Sequence, residues 1–409
     1  MWYLCTGVPV QGYIHGEGGV KTVAGKERLL LTGNYAAAYA ARDADVDVVS
    51  AYPITPQTTV IEKIADFIAS GELNAKFVRV ESEHSAMAAL IGASSVGART
   101  FTATSAQGLL YMYEVVWWAS GARLPIVMGL VTRALGPPWS IWSEHTDFYT
   151  MRDSGWNLFF ASNAQEVYDL LLISYGVSEN QEVVLPSCVG WDAFEVSHTY
   201  EPVSVLGREE ASRFLPPKGS FKPSLSSEEP GSLGNLAYPP EYLDIRHTMR
   251  QASDKVLGVF REAAVRYAKL TGRDYSGMYE CYRCEDADTI IVGMGSIMGE
   301  AYRAVDNLRD EGMKVGALKL WVYRPFPYEE LYKAVQNVDT IVTVSRSSVF
   351  GSMSPIGLDF ASLIASRGLD AKIADYVAGV GGMDVYAEDF VGMVKDAHKN
   401  TGRNVWWVR

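Results

Sequence analysis

Short runs of apolar residues alternate with longer segments of helical periodicity along most of this chain. In the first half, the apolar runs predict buried strands, and apolar positions three or four residues apart predict the helices between them. The predicted strands are 46–50, 77–80, 100–104 and 125–131, and the predicted helices are 57–70, 85–97 and 107–120. The second half repeats the pattern, with predicted strands at 289–293, 314–320 and 340–344. Such alternation is typical of βαβ units, so we expect an α/β fold with two doubly wound, mostly parallel sheets.

A segment without this periodicity separates the two halves. From 207 to 244, prolines fall among serines and glycines, and a helix is predicted from 243 to 271. We therefore divide the chain into an N-terminal arm (1–28), a first domain (29–206), a linker that contains a helix (207–284) and a second domain (285–409). The glycine-rich arm is expected either to lie on a neighbouring subunit or on the chain's own surface, or to be a frayed terminus.

The charge balance argues against two classes of partner. The 409 residues carry a formal net charge of −12, and the sequence pI is about 5.1. An acidic surface repels the phosphates of nucleic acids and of anionic membranes, so neither is expected as a main partner. The sequence has no apolar stretch of about 18 residues, and its first residues do not resemble a signal peptide.

The cysteines favour a reducing cytoplasm. The four of them, Cys5, Cys188, Cys281 and Cys284, are too few for a disulfide framework in a chain of this length. Cys281 and Cys284 form a CxxC motif without the second pair or the histidines that a zinc site needs. We interpret this pair as incidental; the alternatives are redox activity or half of a site shared between subunits.

Two short segments carry the most specific signal. Ser50–Thr58 reads Ser-Ala-Tyr-Pro-Ile-Thr-Pro-Gln-Thr, a proline-rigid turn after a predicted strand. Val80–Met87 reads Val-Glu-Ser-Glu-His-Ser-Ala-Met, with acidic residues at the start of a predicted helix. Together they resemble the 2-oxoacid:ferredoxin oxidoreductases, the family of pyruvate:ferredoxin oxidoreductase. The resemblance is to the α-type subunit, and it implies a thiamine diphosphate pyrimidine-binding domain followed by a transketolase C-terminal-like domain.

The resemblance implies that Glu83 is the carboxylate that activates thiamine diphosphate. In this family, an acidic residue directly before a helix of small residues hydrogen-bonds N1′ of the aminopyrimidine and stabilises its imino tautomer. Glu81, two residues earlier, is the competing candidate. The alternative is that Glu83 has no catalytic role and is simply an acidic residue at a helix N-terminus, where the helix dipole favours a negative charge.

The proline-rich turn is implied to lie beside the cofactor and substrate. By resemblance, Thr55 lies against the substrate carboxylate and the thiazolium ring, while Tyr52, Pro53 and Ile54 contact the cofactor. Two prolines hold the Thr55 hydroxyl in place. Thr55 is also a candidate cap for the helix that begins near Gln57, and the two roles are compatible.

Arg133 follows a predicted strand, and the resemblance implies that it grips the 2-oxoacid carboxylate. A guanidinium fork suits that bidentate task better than an ammonium group does. The alternative is a surface arginine that closes a strand. Ser105-Ala-Gln-Gly108 matches a turn that lies beside the cofactor in the family, with Gln107 as a polar contact and Gly108 allowing close approach of the backbone.

Two further motifs are weaker. The loop that contains His145 and Asp147 matches a family segment, and we expect these residues to support the site or to lie at an interface; the alternative is that His145 is a polar group at the substrate entrance. Gly293–Gly299 has the spacing GxGxxxG rather than the dinucleotide-binding GxGxxG, and we interpret it as a tight turn.

The missing motifs imply partner chains. Thiamine enzymes anchor the diphosphate through a metal and a Gly-Asp-Gly motif, which this sequence lacks, and it lacks the cysteine set of an iron–sulfur cluster. The resemblance implies a β subunit that holds the diphosphate, Mg²⁺ and a 4Fe–4S cluster. It also implies γ and ferredoxin-like δ subunits, with an NAD- or ferredoxin-reducing module as a further partner. No metal ligand is predicted in this chain.

The implied reaction is the CoA-dependent oxidative decarboxylation of a 2-oxoacid, with thiamine diphosphate as cofactor and electrons passed to partner clusters. Thr55 argues against oxalate, because oxalate-using relatives carry an arginine in that turn. Pyruvate-like acids and aryl acids such as phenylglyoxylate both stay open, because tryptophans 117, 118, 139, 142 and 156 fall near the site in motif order. The alternatives are a transketolase-type or 2-oxoacid dehydrogenase-type component, or a non-catalytic assembly subunit.

Overall fold

The structure, a computed structural model, describes residues 27–222, 225–228, 230–347 and 349–408. The N-terminal arm predicted for 1–28 therefore lies, up to residue 26, outside the described residues. The described helices include none that is both long and apolar enough to cross a membrane.

Strands and helices alternate through both halves of the chain. The strands are β1 Glu27–Leu31, β2 Val48–Ser50, β3 Lys76–Val78, β4 Thr100–Thr104, β5 Val127–Thr132, β6 Asn157–Ala161, β7 Ser187–Asp192, β8 Glu201–Val205, β9 Tyr279–Tyr282, β10 Thr289–Gly293, β11 Val315–Leu320, β12 Val322–Arg324, β13 Thr340–Ser345, β14 Lys372–Val377 and β15 Asn404–Trp406. The α-helices are α1 Gly33–Asp43, α2 Thr58–Ala69, α3 Glu83–Ser95, α4 Ala106–Tyr111, α5 Tyr113–Gly121, α6 Thr146–Thr150, α7 Ala164–Ser178, α8 Arg208–Phe214, α9 Pro239–Thr271, α10 Met298–Asp310, α11 Tyr328–Val335, α12 Pro355–Arg367 and α13 Ala387–Asp396.

The first sheet has the order β12-β6-β7-β5-β4-β2-β3, and its strands are parallel except β12. Helices cover both faces, so the central strands are fully buried; every residue of β4 and β5 is. The helix predicted at 107–120 is divided at Met112 into α4 and α5. Because the carboxyl ends of parallel strands share one edge, the segments that follow β2, β4 and β5 are neighbours there.

The second sheet has the order β15-β14-β13-β10-β11-β9 and is parallel except for β9, which is antiparallel to β11. β9 lies inside the segment predicted as a linker, 207–284, so that segment contributes an edge strand as well as helix α9. In return, β12 from the second half of the chain pairs with β6 of the first sheet. β12 and β9 are thus each the outermost strand at one edge of a sheet, and both are antiparallel to their neighbours.

The two halves share an apolar core. One buried cluster contains Leu130 and Phe160 of the first sheet together with Leu318, Ile341 and Phe360 of the second half. The second half is thereby packed against the part of the first sheet that ends at the candidate site.

The two cysteines of the CxxC motif are joined in a disulfide at the edge strand β9. Arg283 between them has a positive φ of 54°, which turns the chain so that the two Cα atoms lie 5.8 Å apart. Spacing alone does not show such a turn, and the interpretation of this pair as incidental, redox-active or half of a shared site stays a prediction.

Candidate functional site

Buried amide side chains hold the proline-rich turn after β2. Asn34 donates from Nδ2 to the carbonyl of Pro56 (2.7 Å) and to the hydroxyl of Thr59 (2.8 Å). Gln57 donates to the carbonyl of Ala103 on β4 (2.8 Å) and accepts from the backbone N–H of Ile54 (3.3 Å). Both amides are completely buried, whereas the turn itself reaches the surface. The turn is thus presented at the sheet edge on a fixed base.

Glu83 is the first residue of α3, and its side chain is largely buried. Ser82 caps the helix by accepting from the backbone N–H of Ser85 (3.2 Å). Burial raises the pKa of Glu83, although its own backbone N–H lowers it in part. Glu81 differs in every respect: it is exposed, and hydrogen bonds, first that from the Ser85 hydroxyl, lower its pKa. The carboxyl group whose proton affinity is raised at this helix start is therefore that of Glu83.

Gly108 leaves room for the Glu83 carboxylate. A Cβ atom on Gly108 would lie 2.6 Å from Oε1 of Glu83 and 2.6 Å from the hydroxyl oxygen of Thr104. That Thr104 hydroxyl is buried and has no hydrogen-bond partner among the described residues. A glycine as the third residue of α4 is thus required for this carboxyl group and this hydroxyl to lie where they do.

Arg133 directly follows β5 and joins the other predicted residues. Its side chain donates from Nη1 to the backbone carbonyl of Thr55 and from Nη2 to Oε1 of Gln107 (2.8 Å). Its Nε is buried and has no hydrogen-bond partner among the described residues. Burial lowers the pKa of the guanidinium, and the charge of Asp147 opposes that effect. Thr55, Gln107 and Arg133 are therefore in direct contact, with Thr55 taking part through its carbonyl.

His145 lies at the junction of the two halves. It is buried, and its Nε2 lies 2.7 Å from Oδ1 of Asp192. Asp192 also accepts from the hydroxyl of Ser143 (2.6 Å), the backbone N–H of Ser296 (2.7 Å) and the guanidinium of Arg346 (3.3 Å). Burial alone would raise the pKa of Asp192, but the charges of His145 and Arg346 hold it well below its ordinary value. His145 thus lies in a buried ionic network next to the end of β5, because Asp192 pairs across the sheet with Thr132, the residue before Arg133.

The glycine-rich turn Gly293–Gly299 belongs to the same network. Gly295 has a φ of 80°, and a Cβ there would lie 2.4 Å from Oδ2 of Asp192. This turn therefore closely approaches the carboxylate of Asp192. Among the residues that the structure describes, no group of three or more His, Cys, Asp or Glu side chains could hold a metal ion.

The tryptophans that the sequence placed near the site have different environments. Trp156 is buried in the core and donates to the carbonyl of Val116 (2.8 Å). Trp139 and Trp142 lie on the loop after Arg133 and are 77% and 52% exposed. The backbone N–H of Ala134 donates to the carbonyl of Trp142 (3.0 Å), which closes this loop at its base.

Several residues that support the site were missed by the motif argument: Asn34, Gln57, Thr104 and Asp192. A signal for them exists in the sequence, because polar side chains at or next to an apolar strand are costly to bury unless they have a task. That signal does not say which partner such a side chain finds.

Comparisons with known proteins agree with the resemblance. A family model described as "Pyruvate flavodoxin/ferredoxin oxidoreductase, thiamine diP-bdg" matches residues 39–264, and one described as "Pyruvate:ferredoxin oxidoreductase core domain II" matches 287–390. The ketoisovalerate oxidoreductase subunit VorA of Pyrococcus horikoshii is 46% identical over 370 residues, which is 90% of this chain and 93% of the relative. The pyruvate synthase subunit PorA of Methanocaldococcus jannaschii is 39% identical over 384 residues, 93% and 97% of the two chains.

Two solved structures share the fold. A 2-oxoglutarate:ferredoxin oxidoreductase from Magnetococcus marinus, with 2-oxoglutarate, coenzyme A and succinyl-CoA bound, has a TM-score of 0.68 at 18% identity over 91% of this chain and 66% of that chain. A split-gene transketolase, described as an inactive β4 tetramer, has a TM-score of 0.54 at 14% identity over 90% and 99%. The predicted α/β fold, family and enzyme class are confirmed. The chain belongs to the 2-oxoacid:ferredoxin oxidoreductase family, and within it to the α-type subunits.

Proposed function

We propose that this chain holds the aminopyrimidine of thiamine diphosphate in a CoA-acylating 2-oxoacid:acceptor oxidoreductase. The reaction is 2-oxoacid + CoA + oxidised acceptor → acyl-CoA + CO₂ + reduced acceptor. One observation carries the proposal: the Glu83 carboxyl group packs on Gly108, and the neighbouring Gln107 contacts Arg133, which contacts Thr55. A carboxyl group with raised pKa and an arginine fork thus lie on one edge of the sheet.

The residues present fit thiamine diphosphate. The raised pKa of Glu83 suits a carboxyl group that shares a proton with a ring nitrogen. The buried Thr104 hydroxyl and the buried Nε of Arg133 lack partners in the described residues, as expected of polar groups beside a ligand. Tyr52, Pro53 and Ile54, on the anchored turn, are proposed to contact the cofactor.

Each residue has a stated task in this proposal. When bound, thiamine diphosphate supplies the carbon nucleophile and the electron sink that decarboxylation needs. Glu83 holds or gives a proton at N1′ of the aminopyrimidine, and Gly108 keeps the carboxyl group at its position. Arg133 binds the substrate carboxylate. A guanidinium has five N–H donors, and Thr55 and Gln107 accept from only two of them, so donors remain for the substrate.

The substrate is proposed to be a 2-oxoacid whose side chain faces the loop that bears Trp139 and Trp142. The names of the relatives favour pyruvate or a branched-chain acid such as ketoisovalerate. The exposed indole rings favour an aryl acid such as phenylglyoxylate, which they would cover on binding. These substrates are distinguished by the tryptophan variants described in the Discussion.

Partner subunits are part of the proposal. A β subunit would hold the diphosphate, Mg²⁺ and a 4Fe–4S cluster, and γ and δ subunits would carry electrons onward to ferredoxin or to an NAD-reducing module. The support is the absence of a Gly-Asp-Gly motif from the sequence and the naming of the relatives as subunits. A cytoplasmic location agrees with these partners and is likewise proposed.

The test is an assay of the native complex purified through this chain. CoA-dependent reduction of a dye acceptor should occur with at least one of pyruvate, ketoisovalerate and phenylglyoxylate, and should require thiamine diphosphate. The chain purified alone should be colourless and inactive. An iron–sulfur absorbance band or 2-oxoacid oxidation by the isolated chain would contradict the proposed division of labour.

A further inference from the structure

Asp147 joins the two segments that carry the candidate site. It is completely buried, and its Oδ2 accepts hydrogen bonds from the backbone N–H of Ala106 (2.9 Å) and from the backbone N–H of Arg133 (3.1 Å). Its Oδ1 accepts from the backbone N–H of Phe148 (2.7 Å). One carboxylate oxygen therefore connects the start of α4, which bears Gln107, to the end of β5.

The backbone at Ala106 needs such an anchor. Its φ is 41°, in the left-handed region that residues with a Cβ adopt at a cost. Ala106 immediately precedes Gln107 and Gly108. Its backbone conformation therefore sets the position of the Gln107 side-chain amide and of the Gly108 backbone, against which the Glu83 carboxylate packs. The hydrogen bond from Ala106 to Asp147 holds this conformation.

We propose that Asp147 is a positioning residue, which sets Arg133 and Gln107 in register so that their side chains meet and present the arginine fork to the 2-oxoacid. This inference rests on the proposed function of Arg133. It deepens that function, because Asp147 itself touches neither the substrate nor the cofactor and acts only through backbone N–H groups.

The burial of Asp147 makes it a costly acceptor for the N–H groups of Ala106 and Arg133. Burial raises its pKa to about 7 despite the lowering effect of the three N–H groups, so keeping the carboxylate ionised here is costly. An apolar residue would avoid that cost, but it would leave the N–H groups of Ala106 and Arg133 without an acceptor. The site therefore retains a costly group at the point where its two halves are joined.

The test is Asp147→Asn in the native complex. The amide keeps the shape but has a single acceptor oxygen. If that oxygen faces the N–H groups of Ala106 and Arg133, the NH₂ group is pressed against the N–H of Phe148; in the other orientation, both of those N–H groups lose their acceptor, so the anchor is disturbed either way. The KM for the 2-oxoacid should rise about tenfold, with a smaller change in kcat. The double variant Asp147→Asn/Arg133→Lys should have a KM less than twofold above that of Arg133→Lys alone, because the two residues act as one unit.

The matched control is Asp375→Asn. Asp375 is equally buried and accepts from the backbone N–H of Ser354 (2.6 Å), but it lies in the second sheet. The Asp375→Asn variant should have a lower Tm than the wild type, and its KM for the 2-oxoacid should stay within twofold of the wild-type value. If Asp147→Asn does not assemble, the same measurement is made in the Ala106→Gly background, where glycine adopts the positive φ at little cost. The KM should still rise there, because the N–H of Arg133 still loses its acceptor.

The outcomes separate this inference from the function on which it rests. A KM within twofold of the wild type for Asp147→Asn, or a KM increase that adds fully to that of Arg133→Lys, would overturn the positioning role alone. An unchanged KM for Arg133→Lys would overturn the proposed role of Arg133, and the positioning role with it.

Discussion

Replacing Gly108 with alanine is expected to impair turnover far more than stability. The added Cβ would lie 2.6 Å from the carboxylate of Glu83 and 2.6 Å from the hydroxyl of Thr104, whereas ordinary contacts begin at 3.4 Å. Thr104 lies on the fully buried strand β4 and has little room to shift. The Glu83 carboxylate, at a helix start, should therefore be the group that moves, by about 0.8 Å.

The magnitudes of the opposing effects set the expected result. Alanine in place of a helical glycine stabilises the fold by about 0.5–1 kcal/mol, and overpacking a buried site costs about 1–3 kcal/mol. The net destabilisation should thus stay below about 2.5 kcal/mol. Misplacing a reacting group by about 1 Å can reduce the rate by about 10²-fold, so kcat should fall by one to two orders of magnitude.

The assay is CoA-dependent acceptor reduction by the native complex, with the Tm measured in parallel. Gly92→Ala is the matched control, because Gly92 lies on the same helix as Glu83 and a Cβ there meets no atom within 4 Å. It should keep its kcat and gain about 0.5–1 kcal/mol of stability. If Gly108→Ala retains wild-type turnover, the position of the Glu83 carboxylate is not used in the reaction, and the assignment is refuted.

Three further predictions address individual side chains. Glu83→Gln should lower kcat by about 10²–10⁴-fold, because an amide cannot share a proton with N1′, whereas Glu81→Gln should not; the reverse result would transfer the role to Glu81. Arg133→Lys should raise the KM for the 2-oxoacid about 10- to 150-fold, because a charge-assisted hydrogen bond is lost. Cofactor binding should be less affected, and steady-state kinetics at varied thiamine diphosphate would check that contrast. Trp139→Ala and Trp142→Ala should weaken an aryl 2-oxoacid far more than pyruvate if the rings line the pocket, and equal effects on both would favour the pyruvate-like substrate.

The sequence predicts which segments form the candidate site. The resemblance implies that the turn at Thr55, the turn at Gln107 and the strand end at Arg133 all lie beside the cofactor and substrate. An α/β fold is compatible with this, because segments that follow parallel strands lie on one edge of the sheet. Their direct contact follows from the order β5-β4-β2 in the sheet. The choice of Glu83 over Glu81 was open in the sequence, and the two environments differ because only Glu83 begins the helix facing Gly108.

Other features of the structure depend on contacts between segments that are far apart in the sequence, and a local pattern of residues does not predict such contacts. The anchoring of Pro56 by Asn34 joins residues 22 apart, and the bonds from Asp192 to Ser296 and Arg346 join residues more than 100 apart. The pairing of β12 with the first sheet is of the same kind. Periodicity reports which face of an element is apolar, but not which other element covers it.

The second half of the chain also sets the shape of the loop beside the site. Gly382, with a φ of 81°, lies so close to Trp142 that a Cβ would fall 2.4 Å from the Trp142 Cβ, and its N–H donates to the carbonyl of Ser143 (2.9 Å). Ser143 in turn bonds Asp192, which Arg346 also contacts. The loop that carries Trp139 and Trp142 is thus held at its far end by residues of the second half and at its near end by the strand that leads to Arg133. Because its position depends on both halves, the proposed choice between small and aryl 2-oxoacids would be a property of their packing, and not of the first domain alone.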